Sequence, residues 1–297
     1  MKLRDMLIFG AGRLIPDKIW IKIKYFQWFR KLPDLKNPKT YNEKLQWLKL
    51  YDRRPEYTTM VDKYEAKKYI ADRVGEQHVI PVLGGPWKSF DEIEFDALPE
   101  QFVLKTTHDC GGVVICKDKA SFDKAQAKKF LEGHLKRNYY LTCREWPYKN
   151  VKPRIFAEQY MKDLGGEEKI EQLTDYKFFC FDGEAKALFV ATDRANIATE
   201  TKFDFFDAEY QHMELVQGHP NADTCPPKPA QFEKMKELAA ALSKNLPQLR
   251  VDFYEVGNAI YVGELTIFHF SGCVPFQPAS WDEIFGSWIK LPEERGK

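Results

Sequence analysis

The chain has 297 residues, 44% of them hydrophobic, enough to fill a core in one large domain or in two to three lobes. Its 45 lysines and arginines nearly cancel 44 aspartates and glutamates, so no global field argues for nucleic acid or a strongly acidic partner. No apolar run reaches the roughly 18 residues of a membrane helix, and six cysteines without a C-x-x-C pair suit reduced thiols of a cytoplasmic protein.

In chain order the first element is basic. Residues 1–31 hold Lys2, Arg4, Arg13, Lys18, Lys22, Lys24, Arg30 and Lys31 against Asp5 and Asp17, with Trp20, Tyr25, Phe26 and Trp28 interleaved. Such a segment either leans on an anionic membrane surface or packs on the body with solvated lysines, and burial of its aromatics separates the two. Asn37 to Thr40 is a turn, and Thr40-Tyr41-Asn42-Glu43 has the form of a capping box opening a helix. A second helix is predicted from about Val61 to Val74, then a short strand over Val79 to Leu83 and a turn at Gly84-Gly85-Pro86. Phe102 to Lys105 and Val113 to Lys117 read as a hairpin with a glycine-containing tip, followed by a helix from Phe122 to Leu135. Further strands are Arg154 to Tyr160, Asp175 to Phe181 paired with Ala185 to Thr192, and Arg250 to Tyr254 paired with Ile260 to Leu265. With a helix over Gln231 to Ser243, the pattern is α+β.

Period-2 alternation points Arg250 and Asp252 to one face of a strand, and the hairpin can bring Glu264 alongside. Two carboxylates so placed repel unless a cation joins them, and oxygen ligands favour magnesium with phosphate; the plain alternative is a salt bridge to Arg250. Lys105 ends an apolar strand before a loop containing Gly111 and Gly112, whose N–H groups can face phosphate; an ordinary hairpin tip is the competing reading. Asp175 and Lys177 share one strand face, fit to reach a ribose hydroxyl and a phosphate, or to form a solvent ion pair. Glu158-Gln159-Tyr160-Met161 ends a strand, where unladdered backbone can read an adenine edge. No Walker or Rossmann glycine pattern, no Ser/His/Asp order and no zinc spacing around His108, Cys110 and Cys116 is present.

The order of these pieces resembles the ATP-grasp superfamily. More closely, Tyr41-Asn42-Glu43-Lys44-Leu45-Gln46-Trp47, Val61-Asp62-Lys63-Tyr64, Arg144-Glu145-Trp146-Pro147-Tyr148, Asp175-Tyr176-Lys177-Phe178-Phe179 and Gly263-Glu264-Leu265-Thr266 resemble the TupA-like ATP-grasp family of bacterial polysaccharide loci, over roughly Asn37 to Ile289. The resemblance implies an ATP-grasp fold, two α+β lobes clasping a nucleotide, with a helical N-terminal extension. It divides the chain into a helical segment (1–60), the first part of the core (61–101), a lid (102–157) and a C-terminal subdomain with the metal site (158–297). ATP would meet Lys63, Lys105, Gly111, Gly112, the hinge Glu158 to Met161 (Glu158, Gln159, Tyr160, Met161), Asp175 and Lys177. Arg250, Lys105 and Lys177 would be catalytic. Mg2+ would sit on Asp252, Glu264 and Thr266, a threonine where ATP-grasp proteins usually carry asparagine. Substrate would meet His108, Arg144, Arg194, Ser271 and Gly272.

The activity so implied is a carboxylate–amine ligase working through an acyl phosphate, joining a sugar-acid or polysaccharide carboxylate to an amine donor. A kinase of a sugar hydroxyl, with His108 or His269 as base, and a non-catalytic nucleotide-binding component are the alternatives. A glycosyltransferase is disfavoured, because Asp204-Phe205-Phe206-Asp207 supplies no Asp-x-Asp motif. The partners implied include no nucleic acid, and a peripheral membrane contact is open to residues 1–31.

Overall fold

The computed structural model describes residues 12–162, 173–193 and 200–292. The first helix, α1 (Asp17–Phe29), buries Trp20, Ile21 and Tyr25 but leaves Phe26 and Trp28 exposed, so it packs by one face only. Helix α2 (Tyr41–Tyr51) opens on a complete capping box, with the Glu43 N–H donating to the Thr40 hydroxyl and the Glu43 carboxylate reaching back to the N-cap. The helix expected from Val61 to Val74 starts later, as α4 (Glu65–Val74), and is preceded by a separate short helix, α3 (Glu56–Val61). Asp62 separates them, because its Oδ1 accepts from the N–H groups of Tyr64 and Glu65 and starts a new helix there.

A four-stranded antiparallel sheet contains β1 (Val82–Trp87), β2 (Phe102–Thr106), β3 (Val113–Cys116) and β4 (Ile155–Gln159) in the order β1-β4-β2-β3. The Gly84-Gly85-Pro86 segment, expected as a turn, lies inside β1 on the sheet edge, where the missing proline N–H costs no ladder bond and the pairing is irregular. Helix α5 (Lys124–Leu135) covers this sheet with Ala127 and Leu131 against Phe102, Leu104, Ile155 and Ala157. Short α6 (Tyr140–Cys143) follows.

The second sheet runs β7-β6-β5-β8-β9, built from β5 (Asp175–Phe181), β6 (Glu184–Thr192), β7 (Lys202–Asp207), β8 (Leu249–Val256) and β9 (Ala259–Thr266). Strand β7 was not expected from the sequence, nor was the terminal helix α8 (Ser280–Trp288). Helix α7 (Phe232–Ser243) lies against one face, where its Phe232 meets Phe178 and Phe178 meets Phe253. On the opposite face Tyr41 of α2 packs edge-on against Phe179, Phe181 and Phe285 of α8. Alternation puts Asp175 and Lys177 on that same face as Phe179 and Phe181. One end of the face is therefore closed by aromatic packing and the other is charged.

Candidate active site

Three adjacent strands carry the charged end in register: Lys177 on β5 is opposite Asp252 on β8, which is opposite Glu264 on β9. The next rung is Phe179, Arg250 and Thr266. A bulge makes the first rung possible, because Asp252 pairs with Glu264 while Phe253 pairs with Val262, leaving Gly263 as the extra residue. A Cβ on Gly263 would stand 2.6 Å from the Tyr254 ring, so any larger residue would have to displace that ring.

Arg250 organises this row. Its Nε donates to Asp252 Oδ1 at 2.7 Å, Nη2 to Asp252 Oδ2 at 2.8 Å and to the Thr266 hydroxyl at 2.9 Å, and Nη1 to His269 Nδ1 at 2.7 Å. Lys177 Nζ donates to Asp252 Oδ2 at 2.5 Å and lies 3.3 Å from Asp175. Burial alone would raise the Asp252 carboxyl, but Arg250 and then Lys177 outweigh it and hold it down to about 2. Burial also draws the Lys177 ammonium below its ordinary value, and Asp252 opposes that only in part. His269 is pushed well below the usual imidazole range by burial and by Arg250. Receiving from Arg250 at Nδ1, it presents Nε2–H to Gln217 Oε1 at 3.1 Å, so both ring nitrogens are engaged.

The first sheet supplies more cations. Glu158 on β4 is buried and joined by Lys105 of β2 and, at 3.0 Å, by Lys67 of α4. Burial would raise Glu158, yet the two lysines more than offset it and the carboxyl stays below its ordinary value. Lys63 ties the parts together: its N–H donates to Thr107 O, its Nζ donates to Asp109 O at 2.5 Å and lies 3.7 Å from Glu264. The loop it grips is braced internally, with Asp109 joined to both Thr106 and His134. Gly112 is obligatory there, since a Cβ would come within 1.9 Å of the Thr106 hydroxyl oxygen. Gly111, at φ 86°, completes the tip.

The remaining expected residues fall in several places. Gln159 ends β4, Tyr160 and Met161 follow it, and the Gln159 N–H already donates to Pro81 O at 2.9 Å. His108 is buried, with Nε2 3.2 Å from Arg137 O. Arg144 is also buried, and its partners are carbonyls of Gly12, Ile15 and Leu141 with Asp17, none of them in the charged row. Arg194 lies outside the described residues. Ser271 and Gly272 belong to a turn with positive φ at Phe270, Ser271 and Gly272, a costly run for non-glycine residues. Helix α2 holds that turn: Gln46 donates to Ser271 O and Gly272 O, and Lys49 donates to Ser271 O at 2.7 Å. The Ser271 hydroxyl donates to Glu145, whose carboxyl burial pushes up to about 7. Glu145, Lys67 and Lys49 thus join the site without having been chosen from the sequence as site residues, and His269, named there only as a base for the kinase alternative, joins it as a partner of Arg250. A basic residue one turn after Lys63 on α4 was the available signal for Lys67.

A magnesium ion fits the donor set at one point. Glu264 is 38% exposed and held only at 3.7 Å by Lys63 and Arg250, so its oxygens are open. Asp252 accepts three hydrogen bonds, and a carboxylate offers about four lone-pair sites. Among the described residues no group of three or more His, Cys, Asp and Glu side chains could hold a metal, so further ligands would be other oxygens, from hydroxyl, carbonyl, phosphate or water.

A family profile described as TupA-like ATPgrasp matches residues 43–290. No curated protein matches the chain. Solved structures that it resembles include D-alanine–D-alanine ligase from Bacillus anthracis complexed with ATP, at 17% identity and a TM-score of 0.39 over 70% of this chain and 53% of that one. D-Alanine–D-alanine ligase from Helicobacter pylori aligns at 14% identity and a TM-score of 0.43 over 84% and 69%. N5-carboxyaminoimidazole ribonucleotide synthetase from Thermus thermophilus aligns at 12% identity and 0.41 over 76% and 51%. The chain thus spans about half the length of the first of these relatives.

Proposed function

We propose, from the premise that this chain belongs to the TupA-like ATP-grasp family, that it is an ATP- and magnesium-dependent carboxylate–amine ligase. The observation that supports this best is the row of Lys177, Asp252 and Glu264 across three strands, with Arg250 behind it and Lys63, which grips the glycine loop, reaching it from between α3 and α4. In this reading Lys63, Lys105 and Lys177 hold phosphate oxygens and Gly111 and Gly112 let the loop backbone approach them. Glu158 keeps Lys105 and Lys67 in place, and Gln159, Tyr160 and Met161 border the base. Magnesium on Asp252 and Glu264, with Thr266 nearby, would neutralise charge on the phosphates.

Arg250, fixed by Asp252, Thr266 and His269, steadies the transferring group without reorganising. A substrate carboxylate takes the γ-phosphoryl group in line, releasing ADP, and an amine then displaces phosphate from the acyl phosphate. The Ser271–Gly272 turn borders the acceptor. The substrate best matched to this family is a sugar acid of a bacterial surface polysaccharide, joined to an amino acid or small amine. A kinase would need a base at the acceptor hydroxyl; both His269 nitrogens are engaged, which leaves that role to buried His108.

The test is ADP release with magnesium and ATP across uronic acids and neutral sugars, each with and without amino acids, using Glu264→Gln as the blank. Turnover that needs both a carboxylate and an amine is expected. Turnover with a neutral sugar alone would replace the ligase with a kinase.

A further inference from the structure

Helix α1 is packed by one face and bare on the other. Trp20, Ile21 and Tyr25 point inward, with Trp20 Nε1 donating to Thr142 O at 3.0 Å. Ile19, Ile23 and Phe26, spaced four and three residues apart on successive turns, are 51%, 42% and 47% exposed. Leu14 before the helix and Leu32 after it are exposed at 87% and 61%, whereas Trp28, seven residues after Ile21, is exposed on the last turn of the inward stripe. Lys18, Lys22, Arg30 and Lys31 lie within the same stretch. The acidic residue of α1, Asp17, is turned inward, joined to Tyr140, to Arg53 at 2.8 Å and to Arg144 at 3.2 Å. The outer face therefore combines bare apolar side chains with cations that have no acidic residue among them.

We propose that this outer face of α1 docks the chain on an anionic lipid surface. Apolar side chains along one helix line enter the headgroup boundary while flanking lysines meet lipid phosphate. A second copy of the chain is a poor occupant, because two such faces would oppose cation to cation.

The experiment is vesicle flotation of the full chain with phosphatidylcholine alone and with phosphatidylglycerol added, at low and high salt. The comparison variants are Ile23→Ser with Phe26→Ser, and Lys18→Glu with Lys22→Glu; all four side chains are at least partly exposed, so the fold is retained. Wild type is expected to float with the anionic vesicles only, less at high salt, and each pair of substitutions lowers partitioning by about tenfold or more. No flotation with anionic vesicles, equal flotation with neutral ones, or variants that float like wild type would overturn the proposal. Self-association abolished by Ile23→Ser with Phe26→Ser, without vesicle binding, would assign the face to a second copy instead.

Discussion

Glu145 shows how much a single side chain can hold. Its carboxyl is pushed from the ordinary 4.5 up to about 7, chiefly by burial, against the pull of Lys49 and the Ser271 hydroxyl. Between those values the folded chain keeps a proton that the unfolded chain releases, so stability falls as pH rises through that window and levels off above it. The loss is roughly 3 kcal/mol for a fully buried group. Glu145→Gln keeps an acceptor for Ser271 and removes the titration. The variant is therefore expected to gain stability over wild type at about pH 8 and little at about pH 5, as measured by urea unfolding. Equal pH dependence in both proteins would sink this account. The sequence pointed to the motif from Arg144 to Tyr148, with Arg144 as its site residue, but not to a role for Glu145. Outside a regular strand no alternation says which side chain turns inward, and here Arg144 serves the α1 packing while Glu145 reaches the Ser271 turn.

Among the elements, strands were the most legible because period 2 fixes faces. The pairing of Asp175 and Lys177, and of Arg250 and Asp252, with apolar neighbours between them, was enough to place the charged row. Helix limits were less legible: the break between α3 and α4 depends on Asp62 capping a new start, and Asp62 also takes Arg154 at 2.9 Å from outside the helix. Strand β7 was hidden because buried Asp204 interrupts its phenylalanines; its carboxylate accepts from the Ala222 N–H, a contact that no local pattern announces. The bulge at Gly263 sits between these cases, since a glycine within a strand hints at one without giving its register. Gly263→Ala would drive a methyl into the Tyr254 ring and shift Glu264 relative to Asp252. A loss of about 1–3 kcal/mol in urea unfolding, with weaker magnesium–nucleotide binding by calorimetry, is expected. Wild-type behaviour in both measurements would show that the register does not depend on this residue.

At the scale of the whole molecule, one face of the second sheet is divided between packing and chemistry. Tyr41, Phe285 and their neighbours seal the end carrying Phe179 and Phe181, and the charged end is left to meet α4 and the loop after β2. Motif order implied that the distant charged residues converge, whereas the link itself was illegible, because Lys63 acts through the Asp109 carbonyl and no residue pattern encodes a backbone partner. This bridge couples both sheets to whatever occupies the row. Lys63 and Lys177 now face protein carboxylates and a carbonyl, and Arg250 faces carboxylates, the Thr266 hydroxyl and His269, so a nucleotide adds negative groups to an already assembled set of cations. Binding to the folded chain alone stabilises it by about 3 kcal/mol at roughly a hundredfold excess over Kd. For a chain of this size that is a Tm increase on the order of 5 °C. With ATP the increase is expected to be larger when magnesium is present than after its removal by chelator. In Glu264→Gln the magnesium-dependent part should disappear while the unliganded Tm stays near wild type, since Glu264 is held only at 3.7 Å by its neighbours. In Lys63→Ala both parts should shrink, because phosphate loses a cation and the loop loses its tie to β9. A Tm that ATP does not move in wild type, or that magnesium moves equally in Glu264→Gln, would mean that the row does not hold a magnesium–nucleotide.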